Sequence, residues 1–214
     1  MRYLIVCGGK IDKEFGLNEI KTDGIDAIIA ADSGMDFLYE NGVTPDIIVG
    51  DFDSATTKAL EYFERKGQTE IRRLNPIKDD TDTEYAIRLA ISEGARSIVL
   101  LGATGSRIDH VLGNISLLGI GLESGTDISI IDTNNRIRMA DKPVTIEKSA
   151  QYGRFVSLRA LTDDNEVSLK GFKYPVTDYS FDRFTSLGIS NEIVDDHALI
   201  DIHRGKFIII ESKD

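Results

Sequence analysis

The chain has 214 residues, with 36 acidic against 25 basic side chains and a net charge of -11. That balance excludes a basic nucleic-acid-binding domain, which the phosphate backbone would need. A 41% hydrophobic content excludes disorder, a single cysteine excludes a disulfide scaffold, and no apolar run is long enough to span a bilayer. Asp outnumbers Glu 23 to 13, and Asp, the poorer helix former, collects at caps, turns and metal sites. The N-terminal stretch MRYLIVCGGK has too short an apolar core for a signal peptide. With only Cys7 present, the expected setting is reducing and cytoplasmic, with no membrane or nucleic-acid partner.

Up to about Ser124, short apolar runs alternate with amphipathic stretches. Tyr3 to Cys7, Ala27 to Ala31, Ile47 to Val49 and Ile98 to Leu101 read as strands buried on both faces, as in a parallel sheet. Ser54 can cap a helix carrying Leu60 and Phe63. Thr81 or Asp82 can cap another, with Ala86, Ile87, Ala90 and Ile91 inward and Gly94 at its end. A third helix starts near Arg107 and carries Val111, Leu112, Ile115 and Leu118. This alternation predicts a doubly wound, mostly parallel α/β domain.

After about residue 126 helical periodicity fades. Ile128 to Ile131, Ile137 to Met139, Val144 to Ile146, Phe155 to Leu161, Val167 to Leu169, Ile193 to Ile202 and Phe207 to Ile210 read as strands. His203-Arg204-Gly205-Lys206 reads as the hairpin connection between the last two. Short strands at this spacing predict a small antiparallel β-sandwich. The expected domains are 1–130 and 131–214.

Acidic residues recur at the ends of the expected parallel strands. Asp32 follows the second run, Asp51 and Asp53 the third, Asp79, Asp80 and Asp82 the stretch Ile71 to Leu74, and Asp109 the run Ile98 to Leu101. Ligands bind outside the carboxyl ends of such strands. Crowded carboxylates repel unless a cation sits among them, and Mg²⁺ takes carboxylates together with substrate phosphate. The spacing therefore points to a Mg²⁺ and polyphosphate site. Gly8-Gly9, Ser33-Gly34 and Gly102 to Gly105 let backbone approach phosphate near helix starts, although neither a P-loop nor a dinucleotide fingerprint is present. Arg107 and Lys78 can grip phosphate oxygens or neutralise the acids beside them. His110, on the Arg107 helix, is a candidate substrate contact. Phe172, Tyr174, Tyr179, Phe181 and Phe184 cluster in the second domain, as core or as faces for a cationic or heteroaromatic ligand.

In order, the chain carries Ala31-Asp32-Ser33-Gly34, Pro45-Asp46, Gly50-Asp51-Phe52-Asp53-Ser54, Lys78-Asp79-Asp80-Thr81-Asp82, Gly102 to His110 and Gly188-Ile189-Ser190-Asn191-Glu192. Together these resemble the thiamine pyrophosphokinase family over nearly the whole chain. The resemblance implies transfer of pyrophosphate from ATP to thiamine with Mg²⁺, giving AMP and thiamine diphosphate. It implies an α/β nucleotide domain followed by a thiamine-binding β-sandwich, and a homodimer with active sites at the subunit interface. It places Asp51, Asp53, Asp79 and Asp82 around the metal and triphosphate, with Asp32, Thr81, Arg107 and Asp109 also lining the site. Ser190 and Asn191 would meet thiamine. Asp53 or Asp82 would take the hydroxyl proton, and Arg107 would stabilise charge on the transferring group or the leaving phosphate. Some members stack a Trp on thiamine; this chain has no Trp.

Two other readings compete. Ile47 to Asp53 resembles the strand and D-x-D motif of haloacid-dehalogenase-type phosphatases, with Asp51 as nucleophile, although Gly50 interrupts the usual junction. A non-enzymatic nucleotide- or metal-sensing module would bind without turnover.

Overall fold

The computed structural model describes residues 1–52, 57–75 and 80–214. It forms two compact units, Met1–Thr133 and Asn134–Asp214.

The first unit runs β1 (Arg2–Val6), α1 (Lys13–Ile20), β2 (Ala27–Ala31), α2 (Gly34–Glu40), β3 (Ile47–Gly50), α3 (Thr57–Lys66), β4 (Glu70–Arg73), α4 (Asp82–Ser92), β5 (Ser97–Leu101), α5 (Ile108–Ser124) and β6 (Asp127–Ile131). Its strands lie in the order β6-β5-β1-β2-β3-β4, and every pair is parallel. The chain thus builds outward from β1 in one direction to β4, then returns through α4 to the other side of β1. That reversal puts a topological switch point between β1 and β5.

Consecutive residues Leu4, Ile5 and Val6, Ile48 and Val49, and Ile98 to Leu101 are all buried. Both faces of the sheet are therefore covered, which is why the strands read as continuous apolar runs rather than alternations. Each Leu, Ile or Phe buried this fully is worth about 1.5–3 kcal/mol. α4 covers β1, β2 and β3 with Ala86, Ile87, Leu89 and Ala90. Leu89 is the inward residue here, and Ile91 is only half-buried. Thr81 rather than Asp82 is the cap, its hydroxyl accepting from the Glu84 N–H at 3.2 Å. Two expectations for α5 and the strand after it need correction. Leu118 is buried, but Leu112 is 60% exposed, so the apolar stripe faces solvent over the first turns. Ile128 to Ile131, grouped by its rhythm with the antiparallel strands, is the sixth parallel strand, with Leu100 beside Ile130. The proposed Ser54 cap lies outside the described residues.

The second unit comprises β7 (Asn135–Ala140), β8 (Val144–Glu147), a short 3₁₀ turn (Lys148–Ala150), β9 (Phe155–Ala160), β10 (Glu166–Lys170), β11 (Val176–Tyr179), β12 (Asn191–Glu192), β13 (His197–Arg204) and β14 (Phe207–Ser212). Two antiparallel sheets form, β12-β9-β14-β7 and β11-β10-β13-β8. Their inner faces share one apolar core, including Val156, Leu158, Phe207 and Ile209 from the first and Ile146, Val167, Ala198 and Ile200 from the second. This is the expected sandwich.

Two connections differ from expectation. Ile193 to Ile202 is not one strand: Asn191–Glu192 pairs with β9, whereas His197–Arg204 pairs with β10 and β8. The chain changes sheets at Asp195-Asp196, with the Lys148 N–H donating to the Asp196 carbonyl at 2.9 Å. Likewise β13 and β14 are not a hairpin, because they belong to different sheets. Gly205 (φ 87°) turns the chain from one layer to the other.

The core also contains a fully buried carboxylate. Glu211 on β14 accepts from Arg136 Nε and Nη2 (both 2.8 Å), from Arg138 Nη2 (2.8 Å) and from the Tyr152 N–H (2.9 Å). The charge is tolerated because all four bonds reach it.

Candidate active site

The strand-end residues of the first unit follow from its topology. β2 ends at Ala31, and Asp32 turns out of the sheet with φ 49°, its N–H held by the Val49 carbonyl at 2.8 Å. Asp51 follows β3 directly, and Asp82 opens α4. One carboxylate oxygen from each of Asp32, Asp51 and Asp82 lies within 4.8 Å of the others, and all three residues are half-buried. An acid at the first turn of α4 also sits favourably against the helix dipole.

Two glycines make this convergence possible. A Cβ on Gly50 would meet the Asp32 Cα at 3.2 Å, so glycine lets the end of β3 lie against the Asp32 turn. A Cβ on Gly34 would meet the Val6 carbonyl oxygen at 1.9 Å, so α2 can start hard against the end of β1 only without a side chain.

Three carboxylates in so small a space suit a hard divalent cation, which prefers oxygen ligands. The donor set fits Mg²⁺ completed by phosphate oxygens and water. Of the other residues expected there, Asp53, Lys78 and Asp79 lie outside the described residues. The Thr81 hydroxyl accepts the capping bond of α4, which leaves its O–H to donate. Asp109 does not join the three carboxylates among the described residues. It pairs instead with Arg107 (2.6 Å), and both side chains are about two-thirds exposed. Arg107 beside it, and then the His110 N–H, hold the Asp109 carboxyl below the ordinary carboxylate range. A pair this exposed contributes little to stability, so Arg107 can exchange Asp109 for a phosphate at small cost. His110 is exposed on the same turn.

Two further polar residues at the ends of parallel strands escaped the sequence reading. Asp132 follows β6 as Asp32 follows β2, and accepts from the Thr104 hydroxyl at 2.9 Å. With Lys10, Ile11, Leu101, Gly102 and Thr133 it lines a small cleft at the strand ends. The signal, an Asp directly after an apolar run, is present in the sequence, but the run Ile128 to Ile131 straddles the expected boundary at residue 130 and reads with the strands that follow it. Arg73, beside Gly50 in the sheet register, places its guanidinium 5.4 Å from the Phe52 ring centroid. Its position at a strand end was hidden inside a short charged strand.

In the second unit, Ser190 is exposed with φ 59°, and its N–H donates to the Ser157 hydroxyl at 3.0 Å. Asn191 is 6% exposed. Its amide is engaged with backbone, accepting from the N–H groups of Tyr174 and Glu192 (both 3.0 Å) and donating to the Tyr174 carbonyl (2.9 Å). Of the aromatic cluster, Phe172 and Phe181 are core residues, while Tyr174, Tyr179 and Phe184 are exposed.

The family model for the thiamin pyrophosphokinase catalytic domain matches residues 21–130, and that for its vitamin B1 binding domain matches residues 143–207. Thiamine pyrophosphokinase of Bacillus subtilis is 34% identical over 188 residues, 87% of each chain. A crystal structure of thiamine pyrophosphokinase from B. subtilis superposes with a TM-score of 0.89 at 31% identity, covering 100% of both chains. Another, of thiamin pyrophosphokinase from Geobacillus thermodenitrificans, gives 0.86 at 28%, covering 100% of this chain and 98% of that one. With both units matched in order and nearly the full length aligned, the chain belongs to the thiamine pyrophosphokinase family.

Proposed function

We propose that the chain transfers the pyrophosphoryl group of Mg-ATP to the hydroxyl of thiamine, releasing AMP and thiamine diphosphate. Thiamine diphosphokinase activity follows from the family; the nucleotide, the metal and the residue roles are this reading's own. The convergence of Asp32, Asp51 and Asp82 at the strand ends is the observation that carries it.

Asp51 and Asp82, with Asp53 and Asp79, would hold Mg²⁺, with Asp32 lining the same floor. The chemistry such a cation would supply there is Lewis-acid neutralisation of polyphosphate charge. The remaining work is positioning and charge stabilisation. The thiamine hydroxyl oxygen forms a bond to the β-phosphorus of ATP. The bridging bond to the α-phosphate breaks, and AMP departs with that electron pair. The hydroxyl proton passes to a carboxylate, Asp53 or Asp82. Arg107, released from Asp109, stabilises charge on the transferring or leaving phosphate. Lys78, Thr81 and His110 complete the nucleotide contacts, and the second unit supplies Ser190 at the acceptor. The acidic surface suits this chemistry, since the nucleotide arrives with its metal and thiamine itself is a cation. The reading includes a cytoplasmic homodimer without nucleic-acid or membrane partners. Among the described residues no helix is long and apolar enough to cross a membrane.

The test is incubation of the folded protein with ATP, Mg²⁺ and thiamine, followed by chromatography. AMP and thiamine diphosphate should appear in equal amounts and only when all three are present. Hydroxylamine-labile phosphate on Asp51, with phosphate release independent of thiamine, would instead support a phosphatase.

A further inference from the structure

We propose that Phe52 is a positioning residue for the metal–nucleotide complex, acting through Asp51 rather than touching substrate itself. The inference rests on the reading that Asp32, Asp51 and Asp82 form the floor for Mg²⁺ and nucleotide. Among the described residues, four other than glycine have a left-handed backbone: Asp32 (φ 49°), Phe52 (φ 63°), Asp178 (φ 46°) and Ser190 (φ 59°). Three of them are short and polar, and aspartate in particular tolerates this region because its side chain can bond locally. Phe52 has no such bond to make, and for a bulky side chain a positive φ is a true outlier. Such outliers persist only where the surroundings over-determine them, and they gather at functional sites. Phe52 directly follows Asp51.

The groups that hold Phe52 surround its ring. The Gly50 carbonyl accepts from the Leu74 N–H at 2.9 Å, which ties the end of β3 to the chain just past β4. A Cβ on Gly50 would meet Phe52 Cε1 at 3.1 Å, Phe52 Cδ1 at 3.2 Å and the Asp32 Cα at 3.2 Å. The ring edge and the Asp32 turn thus share the notch that glycine leaves. Arg73, opposite Gly50 in the sheet register, sets its guanidinium 5.4 Å from the ring centroid, within cation–π range. Glu64 of α3 holds that guanidinium in turn, at 2.5 Å.

A ring on residue 52 that folds back over residue 50 closes a tight turn around Asp51. The carboxylate on that turn is one of three whose oxygens lie within 4.8 Å of one another. Their repulsion drives Asp51 away from the floor until a cation arrives. Releasing the left-handed backbone at Phe52 would let the turn open in the same direction. The ring seated on Gly50, with Arg73 over its face, opposes both. It keeps Asp51 where the metal needs it before the metal binds, as groups behind a metal ligand commonly do.

Calorimetry with a non-hydrolysable ATP analogue, in Mg²⁺ and in chelator, decides between acting through Asp51 and touching the nucleotide. The proteins are wild type, Phe52→Gly, Asp51→Asn and the double variant. Glycine accepts φ 63° freely, so Phe52→Gly removes the ring without adding strain, and a melting curve checks that it folds. Phe52→Gly should weaken binding in Mg²⁺ about tenfold, the scale of losing a group that orients a metal ligand. In chelator its affinity should equal that of wild type. In the Asp51→Asn background the same change should cost nothing more. Phe52→Leu, which restores bulk over Gly50, should recover most of the loss. If Phe52→Gly does not fold, Phe52→Leu takes its place, with a smaller loss that also vanishes in Asp51→Asn. An equal loss in chelator, additive losses in Mg²⁺, or an unchanged affinity overturns the proposal. A wild type that binds the analogue no better with Mg²⁺ than in chelator removes the metal floor and this inference together; a wild type that does bind better, with an additive cycle, removes this inference alone.

Discussion

Replacing Asp51 by Asn should move stability and activity in opposite directions. The oxygens of Asp32, Asp51 and Asp82 all lie within 4.8 Å of one another. At that separation two unit charges repel by about 0.9 kcal/mol in a medium as polar as water, and by more in a protein cleft. Asp51 takes part in two of the three repulsive pairs, so neutralising it relieves about 2 kcal/mol in metal-free protein. Asn keeps the shape and one acceptor oxygen. In a chain of this size the relief corresponds to roughly 4–8 °C in melting temperature. Thermal unfolding in chelator should therefore show Asp51→Asn melting above wild type. Titrating Mg²⁺ with nucleotide should raise the wild type and narrow or reverse that gap, because the variant has lost a ligand. Turnover should fall by at least about 100-fold, the scale seen when a fixed charge-stabilising group is removed. An Asp51→Asn protein that melts no higher than wild type in chelator, yet gains as much from Mg-nucleotide, would refute the metal-floor reasoning.

Three further outcomes follow from the packing. Glu211→Gln leaves Arg136 and Arg138 without their buried countercharge and should cost about 3 kcal/mol in urea unfolding; a loss under about 1 kcal/mol would show that the network is dispensable. Gly34→Ala drives a methyl into the Val6 carbonyl and should cost about 3 kcal/mol through overpacking, read as a lowered melting temperature; an unchanged melt would mean α2 can shift freely. Burial pushes the Cys7 thiol up to about 11, so at pH 8 it is almost entirely protonated as well as inaccessible. Iodoacetamide should leave it intact in folded protein and alkylate it in denaturant, and rapid labelling of the folded chain would contradict that.

The first unit was legible because its physics is local. Strands covered on both faces must be apolar without interruption, and Ala27 to Ala31 is bounded correctly for that reason. The Asp after each strand could be read because strand ends in such sheets share one edge. Which of those acids meet could not be read: Asp109 is as close to a strand end as Asp82, but Arg107 two residues away takes it. In the second unit the alternation of His197–Arg204 and Phe207–Ser212 was visible, but alternation states only that a strand has an inner face. It is the same whether the next strand pairs with it or crosses to the opposite layer, so Gly205-Lys206 looked like a hairpin. Asn191 stands in a motif that only the family resemblance marks. Its burial and its hydrogen bonds to Tyr174, 17 positions earlier in the chain, leave no trace in local pattern.

The strand orders of the two units impose different histories on the growing polypeptide. In the first, β2, β3 and β4 each dock onto the strand made just before, and β5 and β6 then extend the opposite edge. Every addition is to a free edge, so that sheet can be laid down in the order of synthesis. In the second, β14 lies between β7 and β9, and it brings Phe207, Ile209 and Glu211 into the interior. Until β14 is made, β7 and β9 have no common partner, and Arg136 and Arg138 await their carboxylate. The first unit can therefore fold on the ribosome while the sandwich waits for its last-made strand, whose long-range pairings also make it the slower half to close.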